Sequence, residues 1–346
     1  MAVADITGNI AVVPRSIAGW ITGIAQRWRR LPIVSVALLL LGVVAGAGAD
    51  LIAPHDPENG DLANRNLPPF WGGPTTTSKL VVEQPETGKR HLQVPLDEAQ
   101  EIDPNAAVGD TVDVITRAEG SSEFLLGTDH LGRDLLSRVI HGARISLIVA
   151  LVTLGVGGIL GVILGLMAGW YGGWTDEFLM RLVDIILSLP LILVALVLVV
   201  AVGQSLEIIV VVLALWIWPR FARMVRGEVL QLKTMDYVAL ARVAGASTTR
   251  ILLKHLFPGT INTLIVVATL QVGIVILVEA TLSFLGAGVP PPEPAWGSMV
   301  ADGRDRLTDA WWIATVPGIA ILLTVMSLNL FGDWLRDRLD PRLRQI

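Results

Sequence analysis

The sequence predicts an all-α membrane protein with six transmembrane helices and one long loop on the outer side. Two observations carry this. Of 346 residues, 53% are hydrophobic and only 16% charged, and the mean hydropathy is +0.63, too apolar for a soluble domain of this size. Long uncharged runs recur at 31–49, 145–175, 185–206, 256–278 and 310–332, each near the roughly 20 residues that cross a hydrocarbon core. The 34 glycines and 19 prolines are better tolerated in bilayer helices than in soluble ones. The absence of cysteine excludes disulfides, thiolate metal sites and cysteine nucleophiles. A net charge of -5 gives no reason to expect nucleic acid.

The stretch 1–30 carries Trp20 and Trp28 with Arg27, Arg29 and Arg30 beside the first apolar run, as a short interfacial helix would. The first span, 31–53, is expected to stay as an anchor. About 30 residues precede it, its run exceeds a signal-peptide core, and Asp50 to Pro54 makes a poor cleavage site. The run 208–219 is only 12 residues long, between Glu207 and Arg220. It counts as a sixth span because Arg220 and Arg223 can lie along its last turns and snorkel to the headgroups. Six spans put both termini on one side. The segments on that side then hold most of the Lys and Arg, and the opposite side most of the Asp and Glu, which predicts a cytoplasmic N-terminus and a cytoplasmic tail, 336–346. Trp170, Trp174, Trp311, Trp312 and Trp334 fall near span ends, where an aromatic belt belongs.

The outer loop runs over 54–144. Within an insert at about 70–122, residues 79–83 and 111–116 alternate apolar and polar side chains, which suits a small β-rich unit. The lack of aromatic residues between Gly72 and Ser122 suits disorder equally. A denser polar segment follows: Gly127, Thr128, Asp129, Gly132, Arg133, Asp134, Ser137, Arg138 and Arg144. One reading is an amphipathic helix on the membrane surface with its arginines among headgroups; the other is a compact cap in which Asp129, Arg133 and Asp134 pair with one another. Asp129, His130 and Asp134 lack a His-x3-His or His-Glu partner, so no metal site is expected.

The inner loop, 227–258, is the most informative stretch. Asp236 reads as an N-cap and Gly245 as a C-cap, with a short helix between them containing Tyr237, Ala239, Leu240, Ala241 and Arg242. Ala246, Ser247, His255 and Pro258 follow before the next span. A helix resting on the lipid surface has the same composition.

This layout resembles the EAA motif of the permease subunits of bacterial ABC importers. Gly245 and Pro258 match; Ala239-Leu240-Ala241 stands at the Glu-Ala-Ala positions, with Ala239 in place of the acid, and Phe257 replaces the Leu before the proline. His255 stands at the Ile position, as in the peptide-importer branch. Three further segments are similar to the second permease subunit of dipeptide, oligopeptide and nickel importers: 127–147, Met180 to Ile185 before Pro190, and Glu279 to Gly286 followed by Pro290-Pro291-Pro292 and Trp296-Gly297. The tail from Asn329 to Arg342 is similar too. The resemblance spans 30–56 and 124–346 and omits the insert.

The resemblance implies the type I importer permease fold in a bacterial inner membrane. It also implies a heterodimer with a homologous permease, two cytosolic ATPases that hold ATP and Mg, and an extracytoplasmic solute-binding protein. The inner helix would couple to the ATPases, and Glu279, Ser283 and Phe284 would lie on the translocation path. The residues agree on one point: there is no Gly-x4-Gly-Lys-Ser/Thr loop, so this chain is expected to bind no nucleotide cofactor and to catalyse nothing itself. The competing reading is a stand-alone ion-coupled transporter, which usually shows mid-membrane acids and repeated halves. Glu279 is the one notable acid, and the simplest expectation pairs it with Arg304 or Arg306. An intramembrane hydrolase lacks Gly-x-Ser-x-Gly and any mid-membrane His.

Overall fold

The computed structural model describes residues 32–85 and 92–339. The N-terminal segment with its Trp and Arg cluster, residues 86–91 of the insert, and the tail from Asp340 onward lie outside the described residues. Among the described residues four helices are long and apolar enough to cross a membrane, five if a bent helix pair counts as one span. A shorter apolar helix, α1 (Ile33–Ala47), occupies the first expected span, followed by the single turn α2 (Ala49–Ile52).

The outer insert folds as a three-stranded sheet in the order β2-β1-β3, made of β1 (Thr75–Val82), β2 (Gln93–Pro95) and β3 (Thr111–Arg117), with α3 (Leu96–Ile102) following β2. β2 is parallel to β1 and β3 antiparallel to it. Alternation along the strands places Val81, Val94, Val112 and Val114 in a small core closed by Ala99 and Ala106.

Helix α4 (Leu135–Tyr171) is 37 residues long, about 55 Å, so its outer turns rise beyond the hydrocarbon core. It starts ten residues before the apolar run because Asp134 caps it, accepting from the Ser137 backbone N–H at 2.9 Å. Its glycines at 157, 161, 165 and 169 pack inward against α7 (Leu206–Leu232). A Cβ at Gly161 would lie 2.4 Å from Trp218 O, and one at Gly165 would lie 2.6 Å from Ala222 O. The small-xxx-small pattern at 157, 161 and 165 is therefore used within this chain.

The third expected span is broken. Helices α5 (Gly173–Ser188) and α6 (Leu191–Val202) meet at 82°, at Leu189 and Pro190, where proline removes a donor and forces an extended neighbour. Asp176 and Asp184 on α5 pair with Arg226 and Arg223 on α7, at 2.5 Å each. Helix α7 itself extends well beyond the 12-residue run, because Val225 and Val229 continue its buried face to the inner end. The inner loop is accordingly shorter than the sequence suggests. After it come α8 (Asp236–Val243), α9 (Thr248–Ile251), a π turn (Leu252–Leu256) and α10 (Phe257–Phe284), with Pro258 in the first turn, where its missing N–H costs nothing. Helices α11 (Trp296–Arg304) and α12 (Trp312–Leu339) complete the bundle.

Candidate functional site

The inner helix α8 is built between two spans. Met235, extended at φ -74° and ψ 147°, occupies the cap position without a side-chain bond, and Asp236 already lies in the first turn. The expectation of an Asp236 N-cap is thus corrected by one residue. At the other end Ala244 is the cap and Gly245 follows at φ +75°. The Gly245 N–H donates to Arg242 O and the Ala246 N–H to Ala241 O, both at 3.0 Å, the paired bonds of a Schellman stop. Ser247 then caps α9, accepting from the Arg250 N–H.

One residue nails α8 to the bundle. Val238 is fully buried in a cluster with Leu166 of α4, Val225 and Val229 of α7, and Ile251 and Leu256. Lys233 Nζ donates to Gly169 O at 2.8 Å, and the Arg242 guanidinium sits 4.3 Å from the Trp170 ring centroid. Arg242 thereby has a partner inside the chain. Tyr237 and His255 approach at 6.4 Å between ring centroids. Ala239, Leu240 and Val243 remain exposed, so α8 is clamped on one side and presents an apolar edge on the other.

At the opposite end the polar segment 127–144 is a packed cap and not a helix among headgroups. Arg133 Nε donates to Asp129 Oδ2 at 2.7 Å, and Arg138 Nε lies 3.5 Å from the same oxygen; all three side chains are buried. Burial of one carboxylate between two guanidiniums requires such saturation. Asp134 does not join that group, as had been expected. It serves the start of α4, taking the Ser137 hydroxyl at 2.6 Å as well as its N–H. Gly132 is at φ +75°, and a Cβ there would stand 1.8 Å from Asp61 O. Trp312 Nε1 donates to Thr128 O and Trp296 Nε1 to Val139 O, which binds the cap to α11 and α12. The sequence placed Trp312 in the aromatic belt and Trp296 in the Trp296-Gly297 pair, but neither reading gives the direction of the indole N–H. Arg144 holds Asp50 at 2.9 Å and Gly46 O at 2.9 Å, fastening the first helix to α4. Gly127 turns the chain into the cap at φ +80°.

Glu279 is fully buried. Its carboxyl accepts from the Ser283 hydroxyl at 2.7 Å and the Ser146 hydroxyl at 3.4 Å. The expected pairing with Arg304 or Arg306 is not made; Arg304 bonds Asp305 and lies 5.8 Å from the Phe284 ring. Glu279 thus joins α4 to α10 inside this chain, with Ser283 as a second donor from its own helix, and of the three only Phe284 is part-exposed.

Residues 161–345 match the family model described as binding-protein-dependent transport system inner membrane component. The chain belongs to that family. Among its relatives is the di/tripeptide transport system permease DppC of Pseudomonas aeruginosa, 46% identical over 65% of this chain and 74% of the relative. The dipeptide transport system permease DppC of Escherichia coli is 48% identical over 65% of this chain and 75% of its own length. The glutathione transport system permease GsiD of Pectobacterium atrosepticum is 43% identical over 65% and 74%. In fold the chain is similar to a solved chain of the inward-facing MetNI methionine ABC transporter, with a TM-score of 0.50 at 19% identity over 59% of this chain and 96% of that one. The chain is therefore a permease component of a binding-protein-dependent importer, in a family of inner-membrane transport proteins.

Proposed function

We propose that this chain is one of two homologous permease subunits of an ATP-driven importer for peptides or related small solutes. It would form the translocation path with its partner, receive solute from an extracytoplasmic binding protein through the 127–144 cap, and dock two cytosolic ATPases through α8. ATP and Mg would reside on those ATPases, and both termini would be cytoplasmic. The carrying observation is α8 itself: a rigidly terminated helix anchored by Val238 between two spans, with Leu240 and Val243 exposed for a groove on another protein. A lever of this kind transmits force because its inner face cannot move without the ends of α4 and α7. The relatives' names favour short peptides and glutathione as the solute class.

The test is uptake of a labelled dipeptide into proteoliposomes. Transport is expected only with ATP, the ATPases, the binding protein and both permeases together. Uptake by this chain alone, driven by an ion gradient, would overturn the reading in favour of a secondary carrier.

A further inference from the structure

A cleft of about 660 Å³ opens at the α8 end of the bundle, between the last turns of α7, the first turns of α10 and the end of α12. Two glycines set its frame. A Cβ at Gly259 would lie 2.7 Å from Leu232 Cδ1, and one at Gly332 would lie 2.8 Å from Leu270 Cδ2. Helix α10 is thus drawn against α7 at Gly259 and against α12 at Leu270. These contacts are about 16 Å apart along α10, and the cleft lies over the intervening turns.

Its lining divides by chemistry. Val266 and Leu270 are apolar, Asn262 and Thr263 are neutral hydrogen-bonding groups, and α7 and α12 each bring one charge, Glu228 and Arg336. Glu228 Oε1 accepts from the Thr263 hydroxyl at 3.0 Å, which fixes the carboxylate and leaves Oε2 without a partner among the described residues. Arg336 pairs with no described acid, Glu228 included. An acid and a base on different helices that share one cavity yet stay apart match a ligand with both charges.

We propose that this cleft binds a small zwitterion, with its ammonium at Glu228 and its acid group at Arg336, as the last station of a short peptide before release. This rests on the importer reading above. An extended dipeptide spans about 7 Å and a tetrapeptide about 14 Å, so short peptides fit between the two glycine contacts. The headgroup of phosphatidylethanolamine carries the same pair of charges and is the other source of such a ligand.

Saturation-transfer NMR on the assembled transporter in phosphatidylcholine nanodiscs, without binding protein, tests this with alanyl-alanine as probe. Signal above that of empty nanodiscs is expected. It should fall about tenfold in affinity for the N-acetyl and the amide derivatives, since each loses one charge-assisted contact. Glu228→Gln, which keeps an acceptor for Thr263, and Arg336→Gln should each cause a similar loss, with assembly checked by elution and thermal melting. Should either variant fail to assemble, the derivative series on the natural chain still decides. No signal, equal signal from all three probes, or unchanged binding in assembled variants would overturn the proposal. So would phosphatidylethanolamine that co-purifies with the natural chain, is lost from both variants and blocks the dipeptide. Dipeptide uptake by the same complex, measured separately, reports on the importer reading, so the two can fail independently.

Discussion

Replacing Gly245 by Val tests whether the stop at the end of α8 transmits force. The residue sits at φ +75°, where a β-branched side chain is strained, yet a Cβ there would meet nothing within 4 Å. The penalty is therefore a backbone one, about 1–3 kcal/mol for a non-glycine residue held in this region. The chain can relieve it only by giving up the Gly245 and Ala246 N–H bonds to Arg242 O and Ala241 O, each worth about 0.5–1.5 kcal/mol net. Either route lowers the population of the formed helix end by about tenfold or more. Val238 remains in its cluster and the spans are untouched, so the protein should still insert and assemble. In proteoliposomes with the ATPases and binding protein, ATP hydrolysis should persist while dipeptide uptake per ATP falls about tenfold. Gly245→Asn should restore most of it, because Asn tolerates the left-handed region. Uptake per ATP at the natural level in the Val variant, or equal loss in both variants, would refute the reasoning.

Arg133→Ala leaves the buried Asp129 its backbone N–H donors from positions 131 and 133 but only the more distant Arg138 as a guanidinium partner; a loss of about 3–5 kcal/mol in cap stability is expected. Hydrogen exchange over 127–144 checks it, and binding-protein-stimulated hydrolysis should fall more than basal hydrolysis. Gly161→Val drives a side chain into the Trp218 carbonyl on α7, and the backbone can yield only by parting α4 from α7. A loss of about 1–3 kcal/mol or more and a lower melting temperature are expected, against little change for Gly155→Val, where space is open. The Arg144 guanidinium bonded to Asp50 holds that carboxyl below the usual range, with a smaller contribution from His141. A depressed folded pKa means the contact stabilises above the ordinary carboxylate pKa and is lost as pH falls through the folded value. Thermal melting at pH below 3.8, the ordinary value of this carboxyl, should show a downward step that Asp50→Asn removes.

Some of this was legible in the residues alone. Apolar runs near the bilayer thickness make spans wherever they occur, because unsatisfied backbone cannot sit in hydrocarbon. The helix between 236 and 245 could be read from a glycine at its end and a proline beyond it, since those signals act within a few residues. Hydrophobic alternation likewise marked β1 and β3.

Tertiary structure decided the rest, wherever the deciding partner is distant in sequence. Nothing near Glu279 announces Ser146, which is 133 residues away, and local charge pointed to Arg304. Asp134 looks like a partner for Arg133 beside it, but a capping carboxylate takes the N–H groups of its own helix, leaving Asp129 to the guanidiniums. The extension of α7 past Arg220 follows from Val225 and Val229 meeting Val238 and Leu256, contacts that exist only once α8 folds back. The glycines of α4 could serve any neighbour; the surface of α7 assigned them. Short-range chemistry sets where helices start, stop and cross the membrane, and long-range packing sets which faces meet and where each buried charge finds its counterpart.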